Sequence, residues 1–123
     1  MNGALRREFP FKPHFITVAG HRMHYVDEGQ GPVVLLLHGN PTWSFYYRNL
    51  IQLLKNDFRV IAPDFIGLGL SDRPKDAHFR TRDRVAQLTE FIDRLQIDRF
   101  SLVVHDWGGS IGSMVAVERP EKV

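Results

Sequence analysis

Short apolar runs bounded by turn residues recur along the chain and predict buried β-strands. Val33–Leu37 is wholly apolar and partly β-branched, and it follows the turn-rich segment Glu28–Pro32. A run of this length and composition is typical of a strand that is buried on both faces of a parallel sheet. Arg59–Ala62 and Phe100–His105 have the same character, so they are also predicted to be buried strands.

Two segments near the N-terminus have a different pattern. His14–Val18 and Arg22–Val26 flank Ala19-Gly20, which predicts a β-hairpin. Asp64–Arg80 is rich in Gly, Asp and Pro, and it is predicted to be a loop.

Apolar residues at helical spacing predict three helices, which are Ser44–Leu54, Thr81–Leu95 and Gly108–Glu118. In the second of them Val85, Leu88 and Ile92 form one apolar stripe, and Asp83 lies in the first turn, where the helix dipole favours a carboxylate. Strands that alternate with helices imply parallel βαβ units. The pattern therefore predicts an α/β fold with a mostly parallel sheet and an N-terminal β-hairpin.

The composition fits a soluble globular protein and excludes several kinds of site. The 16 basic and 14 acidic residues are scattered without a basic stripe, so no nucleic-acid partner is predicted. The chain has no cysteine, which excludes a thiol nucleophile and a cysteine zinc site. The longest aliphatic run is too short to cross a bilayer, and no signal peptide is visible. We predict a cytoplasmic protein with no membrane partner, metal or cofactor.

The segment Leu102–Gly109 carries the most informative chemistry. A predicted strand runs into a helix through one residue, Asp106, and two glycines follow Trp107. Such a sharp turn strains the backbone of the residue at its apex, here Asp106, and the small residues let helix and strand approach closely. The apex side chain projects at the carboxyl end of the sheet, where open α/β folds bind ligands. The alternative is that Asp106 is only a helix N-cap, which aspartate also suits.

Three motifs together resemble the haloalkane dehalogenases of the α/β-hydrolase fold, and the match extends from about Phe15 to Val123. The motifs are His38-Gly39-Asn40-Pro41-Thr42, Pro63–Asp72 and His105-Asp106-Trp107-Gly108-Gly109, with Arg48 between the first two. Epoxide hydrolases share the last motif but usually carry an aromatic residue where this chain has Asn40. The segment that begins at Gly39 also resembles the β-lactone decarboxylases of long-chain olefin synthesis.

The resemblance implies a role for each site residue. Asp106 is expected to be the nucleophile and to form an alkyl ester with the carbon that bears the halogen. The side chains of Asn40 and Trp107 offer neutral N–H donors for the halide. Their backbone N–H groups are expected to form the oxyanion hole when water attacks the ester. The substrate is thus expected to be a small halogenated alkane or a related electrophile.

Two other motifs are interpreted as structural. Gly108-Gly109-Ser110-Ile111-Gly112 matches the pattern around a serine nucleophile, but Ser110 lies about one helical turn beyond the strand, so we predict a small residue at a helix packing face. Gly67-Leu68-Gly69 lacks the third glycine of a dinucleotide fingerprint and is predicted to be a tight loop. The aromatic residues of Trp43–Tyr47 are predicted to pack the helix rather than contact substrate.

In the fold that the motifs resemble, the catalytic acid and histidine follow the nucleophile. No histidine follows Asp106 here, and neither Glu118 nor Glu121 is suitably placed to be the acid. We therefore interpret residues 1–123 as the N-terminal portion of an α/β-hydrolase core domain, without the cap and the C-terminal part. The 123-residue chain alone is expected to be inactive. An epoxide hydrolase, a β-lactone decarboxylase, and a non-enzymatic fragment or interaction module remain as alternatives.

Overall fold

A computed structural model describes residues 3–75 and 79–123 of the protein. Its elements, in chain order, are α1 (Gly3–Glu8), β1 (His14–Val18), β2 (His21–Glu28), β3 (Val33–Leu37), a 3₁₀ helix (Ser44–Tyr47), α2 (Arg48–Leu54), β4 (Arg59–Pro63), α3 (Thr81–Arg94), β5 (Phe100–Val104) and α4 (Trp107–Glu118).

The five strands form one mixed sheet in the order β1-β2-β4-β3-β5. The predicted hairpin is present, with β1 antiparallel to β2, and β2 pairs antiparallel with β4. β3 lies between β4 and β5 and is parallel to both. Because β3, β4 and β5 share one direction, the loops that follow them meet at one edge of the sheet, which is where the predicted site residues lie.

Alternate residues of β3 serve two hydrophobic cores, one on each face of the sheet. Leu35 and Leu37 are in the core with α3 and α4, and Val34 and Leu36 are in the core with α2. Full burial of an aliphatic side chain contributes roughly 1.5–3 kcal/mol. The wholly apolar sequence of β3 therefore follows from helices covering both faces of the sheet.

Two predicted elements differ from the structure. The helix predicted over Ser44–Leu54 begins as a 3₁₀ helix and becomes α-helical only at Arg48. The strand predicted over Phe100–His105 ends at Val104 and is not buried throughout, since Val104 is 42% exposed. Within the described residues β5 pairs only with β3, so its outer edge has no partner strand.

The predicted loop Asp64–Arg80 contains no helix or strand over residues 64–75 and 79–80, and its residues 76–78 lie outside the described part. The helix α1 was not predicted. Within the described chain, no helix has the length and apolar character needed to cross a membrane.

Candidate active site

Asp106 occupies the sharp turn between β5 and α4. β5 ends at Val104 and α4 begins at Trp107, so His105 and Asp106 alone connect them. The backbone of Asp106 has φ 53° and ψ −119°, a combination that residues other than glycine rarely adopt. Such strain costs about 1–3 kcal/mol and is concentrated at functional sites. The predicted strain at the apex is therefore present.

The Asp106 side chain does not cap α4, although the residue occupies the N-cap position. No cap hydrogen bond joins its carboxylate to the first turn of the helix. Its Oδ2 instead accepts a long hydrogen bond, 3.4 Å, from the backbone N–H of Asn40. Asp106 is exposed. The carboxylate therefore faces a second loop and is open to a small molecule, which does not fit a simple helix cap.

Glycines allow this turn to lie against the end of β3. A Cβ on Gly108 would overlap the carbonyl oxygen of Leu37 and would lie 2.9 Å from that of His38. A Cβ on Gly39 would lie 2.7 Å from the Cβ of Asp106. The close approach of helix to strand that the sequence predicts is thus present, and it depends on backbone contacts that leave no room for a methyl group.

Asn40 and Trp107 lie on either side of Asp106, and each has side-chain N–H groups without a hydrogen-bond acceptor among the described residues. Trp107 is the first residue of α4, where backbone N–H groups lack a partner within the helix. In the described part of the chain, neither the Asn40 side chain nor the Trp107 indole donates a hydrogen bond to another residue. Asn40 is exposed and Trp107 is half-buried. Their assignment to the halide site and the oxyanion hole stays a prediction.

His38 is buried and holds the start of the loop 38–44, which we call the Asn40 loop. The Phe65 N–H donates to its Nε2 (3.0 Å), so the ring hydrogen is on Nδ1, which donates to the Gly39 carbonyl (2.7 Å). Burial lowers the pKa of His38. A neutral imidazole whose two nitrogens are both engaged is a structural element of the loop.

A buried cation lies close to Trp107. The guanidinium carbon of Arg84 is 5.7 Å from the Trp107 ring centroid and 4.8 Å from that of Phe79, and a guanidinium nitrogen donates to the Ile66 carbonyl. Arg84 is 6% exposed, and burial lowers its pKa. Within the described residues it has no carboxylate partner in an ion pair.

Ser110 lies on the exposed side of α4. The prediction that it lies at a helix packing face is wrong, because the buried residues of α4 are Gly108, Ile111, Gly112 and Val115. Its placement within the helix, beyond the turn, agrees with the expectation that it lacks the position of a nucleophile.

The packing predicted for the aromatic residues holds for three of the four. Trp43 stacks on Phe45 with centroids 5.4 Å apart. Tyr47 is buried and donates to the Leu37 carbonyl (2.8 Å), and burial raises its pKa to about 12. Tyr46 differs, since it is 48% exposed and stacks on His105 at 4.5 Å. The 3₁₀ helix leaves this side chain outside the core, against His105.

Sequence reasoning missed a buried hydrogen-bonded pair, His24 and Asp64, whose Nδ1 and Oδ2 atoms are 2.8 Å apart. The available signal was a histidine inside a strand near an aspartate that directly follows a buried strand. Over residues 3–75 and 79–123 no cluster of three or more His, Asp or Glu side chains has the arrangement of a metal site.

The strain at Asp106 predicts an unusual order of stability among variants of the whole protein. We expect Asp106→Gly to unfold with a free energy roughly 1 kcal/mol higher than Asp106→Ala, because only glycine adopts this backbone conformation without steric conflict. Urea denaturation measures the difference. An alanine variant as stable as the glycine variant would show that the turn is not strained.

Comparison with known proteins agrees with this geometry. A family profile described as "alpha/beta hydrolase fold" matches residues 32–123. The chain is 47% identical over 117 residues to the cis-3-alkyl-4-alkyloxetan-2-one decarboxylase of Shewanella oneidensis, and this match covers 93% of this chain and 37% of that protein. It is 46% identical over 115 residues to haloalkane dehalogenase 2 of Mycobacterium tuberculosis, and this match covers 94% of this chain and 40% of the relative.

A solved structure extends the same picture. The crystal structure of the epoxide hydrolase VrEH1 from Vigna radiata superposes with a TM-score of 0.85 at 34% identity, over 92% of this chain and 37% of that one. The chain thus spans about two fifths of the length of the proteins it matches. The sheet order, the sharp turn at Asp106 and these matches together show that the chain belongs to the α/β-hydrolase fold family.

Proposed function

We propose that the whole protein is a hydrolase of the haloalkane dehalogenase type, with Asp106 as its nucleophile. The observation that carries this proposal is the Asp106 carboxylate, which lies exposed at a strained apex, uncapped, and faces the Asn40 N–H at 3.4 Å. The 46% identity to a haloalkane dehalogenase supports the substrate class. The substrate is a small halogenated alkane, and the mechanism uses no cofactor.

The proposed reaction has two steps. An Asp106 oxygen attacks the carbon that bears the halogen, the carbon–halogen bond breaks, and the halide leaves with the bonding electron pair. The neutral N–H groups of Asn40 and Trp107 receive the halide without forming a salt bridge. Water then attacks the ester carbonyl carbon, the backbone N–H groups of the same two residues stabilise the oxyanion, and the alcohol is released.

The second step requires a base that removes a proton from water. His38 has both ring nitrogens engaged, and His105 stacks on Tyr46. His38 precedes Gly39 and His105 precedes Asp106 in the chain, and neither is suited to the task. We therefore assign the base to another part of the whole protein, and we expect residues 1–123 alone to give no catalytic turnover.

A second candidate function is opening of a β-lactone followed by loss of carbon dioxide. The observation that favours it is the 47% identity to an oxetanone decarboxylase, slightly above the identity to the dehalogenase. The same carboxylate and the same neutral donors would serve that reaction. An epoxide hydrolase is a third possibility, supported by the superposition with VrEH1.

Parallel assays of the whole protein separate these functions. A dibromoalkane, a cis-dialkyl β-lactone and an alkyl epoxide are supplied in turn, and bromide, alkene and diol are measured. We expect bromide and alcohol from the first substrate, with slower or no reaction of the other two. Alkene formation without bromide release would establish the decarboxylase instead, and diol formation alone would establish the epoxide hydrolase.

Bromide binding tests the two side-chain donors. We expect Asn40→Ala to weaken bromide binding by about 10-fold or more, since a hydrogen bond to a charged group contributes roughly 1.5–3 kcal/mol. Quenching of tryptophan fluorescence by bromide measures the affinity. Asn49→Ala is the matched control, because Asn49 is exposed on α2. Equal bromide affinity in the two variants would remove Asn40 from the halide site.

A further inference from the structure

The hydrogen-bonded pair of His24 and Asp64 lies buried beneath the Asn40 loop. His24 belongs to β2 and Asp64 directly follows β4, and their side chains are 1% and 0% exposed. Burying a carboxylate carries a large desolvation penalty, so the pair is weak evidence for a role in stability. Neither side chain takes part in the proposed reaction.

The Asp64 carboxylate gathers donors from three separate segments. Its Oδ1 accepts from the Ser44 N–H (2.7 Å), and its Oδ2 accepts from the Leu70 N–H (3.0 Å) and from His24 Nδ1 (2.8 Å). An ionised carboxylate only accepts, so the His24 ring hydrogen is on Nδ1. The Ser71 hydroxyl in turn donates to the Asp64 carbonyl (2.6 Å). The carboxylate therefore joins β2, the Asn40 loop and the loop after β4.

The next residue in the chain holds the opposite end of the Asn40 loop. The Phe65 N–H donates to His38 Nε2, and His38 Nδ1 donates to the Gly39 carbonyl. Asp64 thus fixes the end of the loop at Ser44, and Phe65 fixes its start at His38. Two consecutive residues after β4 therefore accept or donate a hydrogen bond at each end of the seven-residue Asn40 loop.

Within the Asn40 loop, further hydrogen bonds join Thr42 to Gly39. The N–H and the hydroxyl of Thr42 both donate to the Gly39 carbonyl, at 3.1 and 2.8 Å. A displacement of Ser44 is therefore transmitted to Asn40, because the intervening turn is cross-linked. The Asn40 N–H is the group that faces Asp106.

We propose that Asp64 is a positioning residue for Asn40, and that His24 keeps its carboxylate oriented for that role. This inference rests on the proposed function, in which Asn40 binds halide and the oxyanion. A charged acceptor is suited to the task because hydrogen bonds to ionised groups are shorter and roughly twice as strong as neutral ones. The loop after β4 also packs closely around the Asp64 carboxylate, since a Cβ on Gly69 would overlap it.

The test combines two measurements on the whole protein. Asp64→Asn removes the charge and places an NH₂ group against at least one of the three donors. We expect exchange of the amides in residues 39–44 to accelerate and bromide affinity to fall by up to about tenfold, the loss expected when the Asn40 side chain no longer donates to the anion. We also expect kcat to fall while KM changes little. In an Asn40→Ala background Asp64→Asn is expected to have little further effect on bromide affinity.

Two further variants complete the design. Ile97→Ala is the control for general destabilisation, because Ile97 is 2% exposed and contacts Lys122 at the other end of the sheet. We expect it to leave bromide affinity unchanged. His24→Leu keeps the Asp64 charge but removes its ring donor, and we expect the same direction of change; it carries the test if Asp64→Asn does not fold.

The outcomes separate this inference from the proposed function. Unchanged amide exchange over residues 39–44 in Asp64→Asn and His24→Leu overturns the positioning role, whatever the substrate is. Normal bromide affinity and kcat in those variants, with an active wild type, also overturn it while the proposed function stands. A wild type that neither binds bromide nor releases it refutes the proposed function, and amide exchange then decides the positioning of the loop alone.

Discussion

Replacement of Asp106 by alanine is expected to lower turnover by the whole protein by roughly 10⁴-fold or more, the scale seen when a covalent nucleophile is removed. The large effect is expected because of where Asp106 lies in the fold. Asp106 alone lies at the apex between β5 and α4, and its carboxylate needs no base to become nucleophilic. The measurement is steady-state release of bromide or of the alternative products described above.

Two control variants make this result interpretable. Asp98→Ala removes an exposed carboxylate elsewhere on the surface, and Ser110→Ala removes the hydroxyl that mimics a serine nucleophile. Both are expected to retain most of the activity. Substantial activity in Asp106→Ala together with its loss in Ser110→Ala would move the nucleophile to the serine.

Replacement of Gly108 by alanine is expected to lower the free energy of unfolding by about 3 kcal/mol, at the upper end of the usual effect of overpacking. The added methyl group would overlap the Leu37 carbonyl oxygen and crowd the His38 carbonyl. Both are backbone atoms at the end of β3, so relief requires a shift of the strand or the helix. The same shift would displace Asp106, so activity is expected to fall as well.

Gly109→Ala is the matched control, one residue further along the same helix. A Cβ there meets only the Val104 side chain, at an ordinary contact distance of 3.8 Å. Alanine is favoured over glycine in a helix by roughly 0.8–1 kcal/mol, so this variant is expected to be as stable as the wild type or more so. Chemical denaturation of the whole protein compares the two, and equal stabilities would contradict the close packing at Gly108.

Much of the fold could be predicted because hydrophobic periodicity reports burial directly. Val33–Leu37 was placed correctly at both ends, since a strand covered on both faces has no polar position to blur the pattern. The same pattern placed the end of β5 one residue too late, at His105 instead of Val104. Tyr46 was misassigned because the 3₁₀ helix has a different period from the α-helix that the sequence predicts.

The candidate site was predictable at Asp106 because the strain is encoded locally, by a strand that meets a helix without a loop. The contribution of Asp64 was not, since its partners come from segments 20 and 40 residues away. A polar residue after a buried strand shows that a partner is needed without showing which one. The pairing depends on the order of strands in the sheet, which puts β2 beside β4.

The central claim is that Asp106 forms the covalent ester, and isotope labelling during a single turnover tests it most directly. The whole protein, in excess over a halogenated alkane, reacts in H₂¹⁸O. Because water attacks the carbonyl carbon of the ester, the first alcohol released should carry ¹⁶O from the carboxylate, and the peptide that contains Asp106 should gain one ¹⁸O atom. An alcohol that carries ¹⁸O from the first turnover, with the Asp106 peptide unlabelled, would mean that water attacks the substrate directly and would contradict the account.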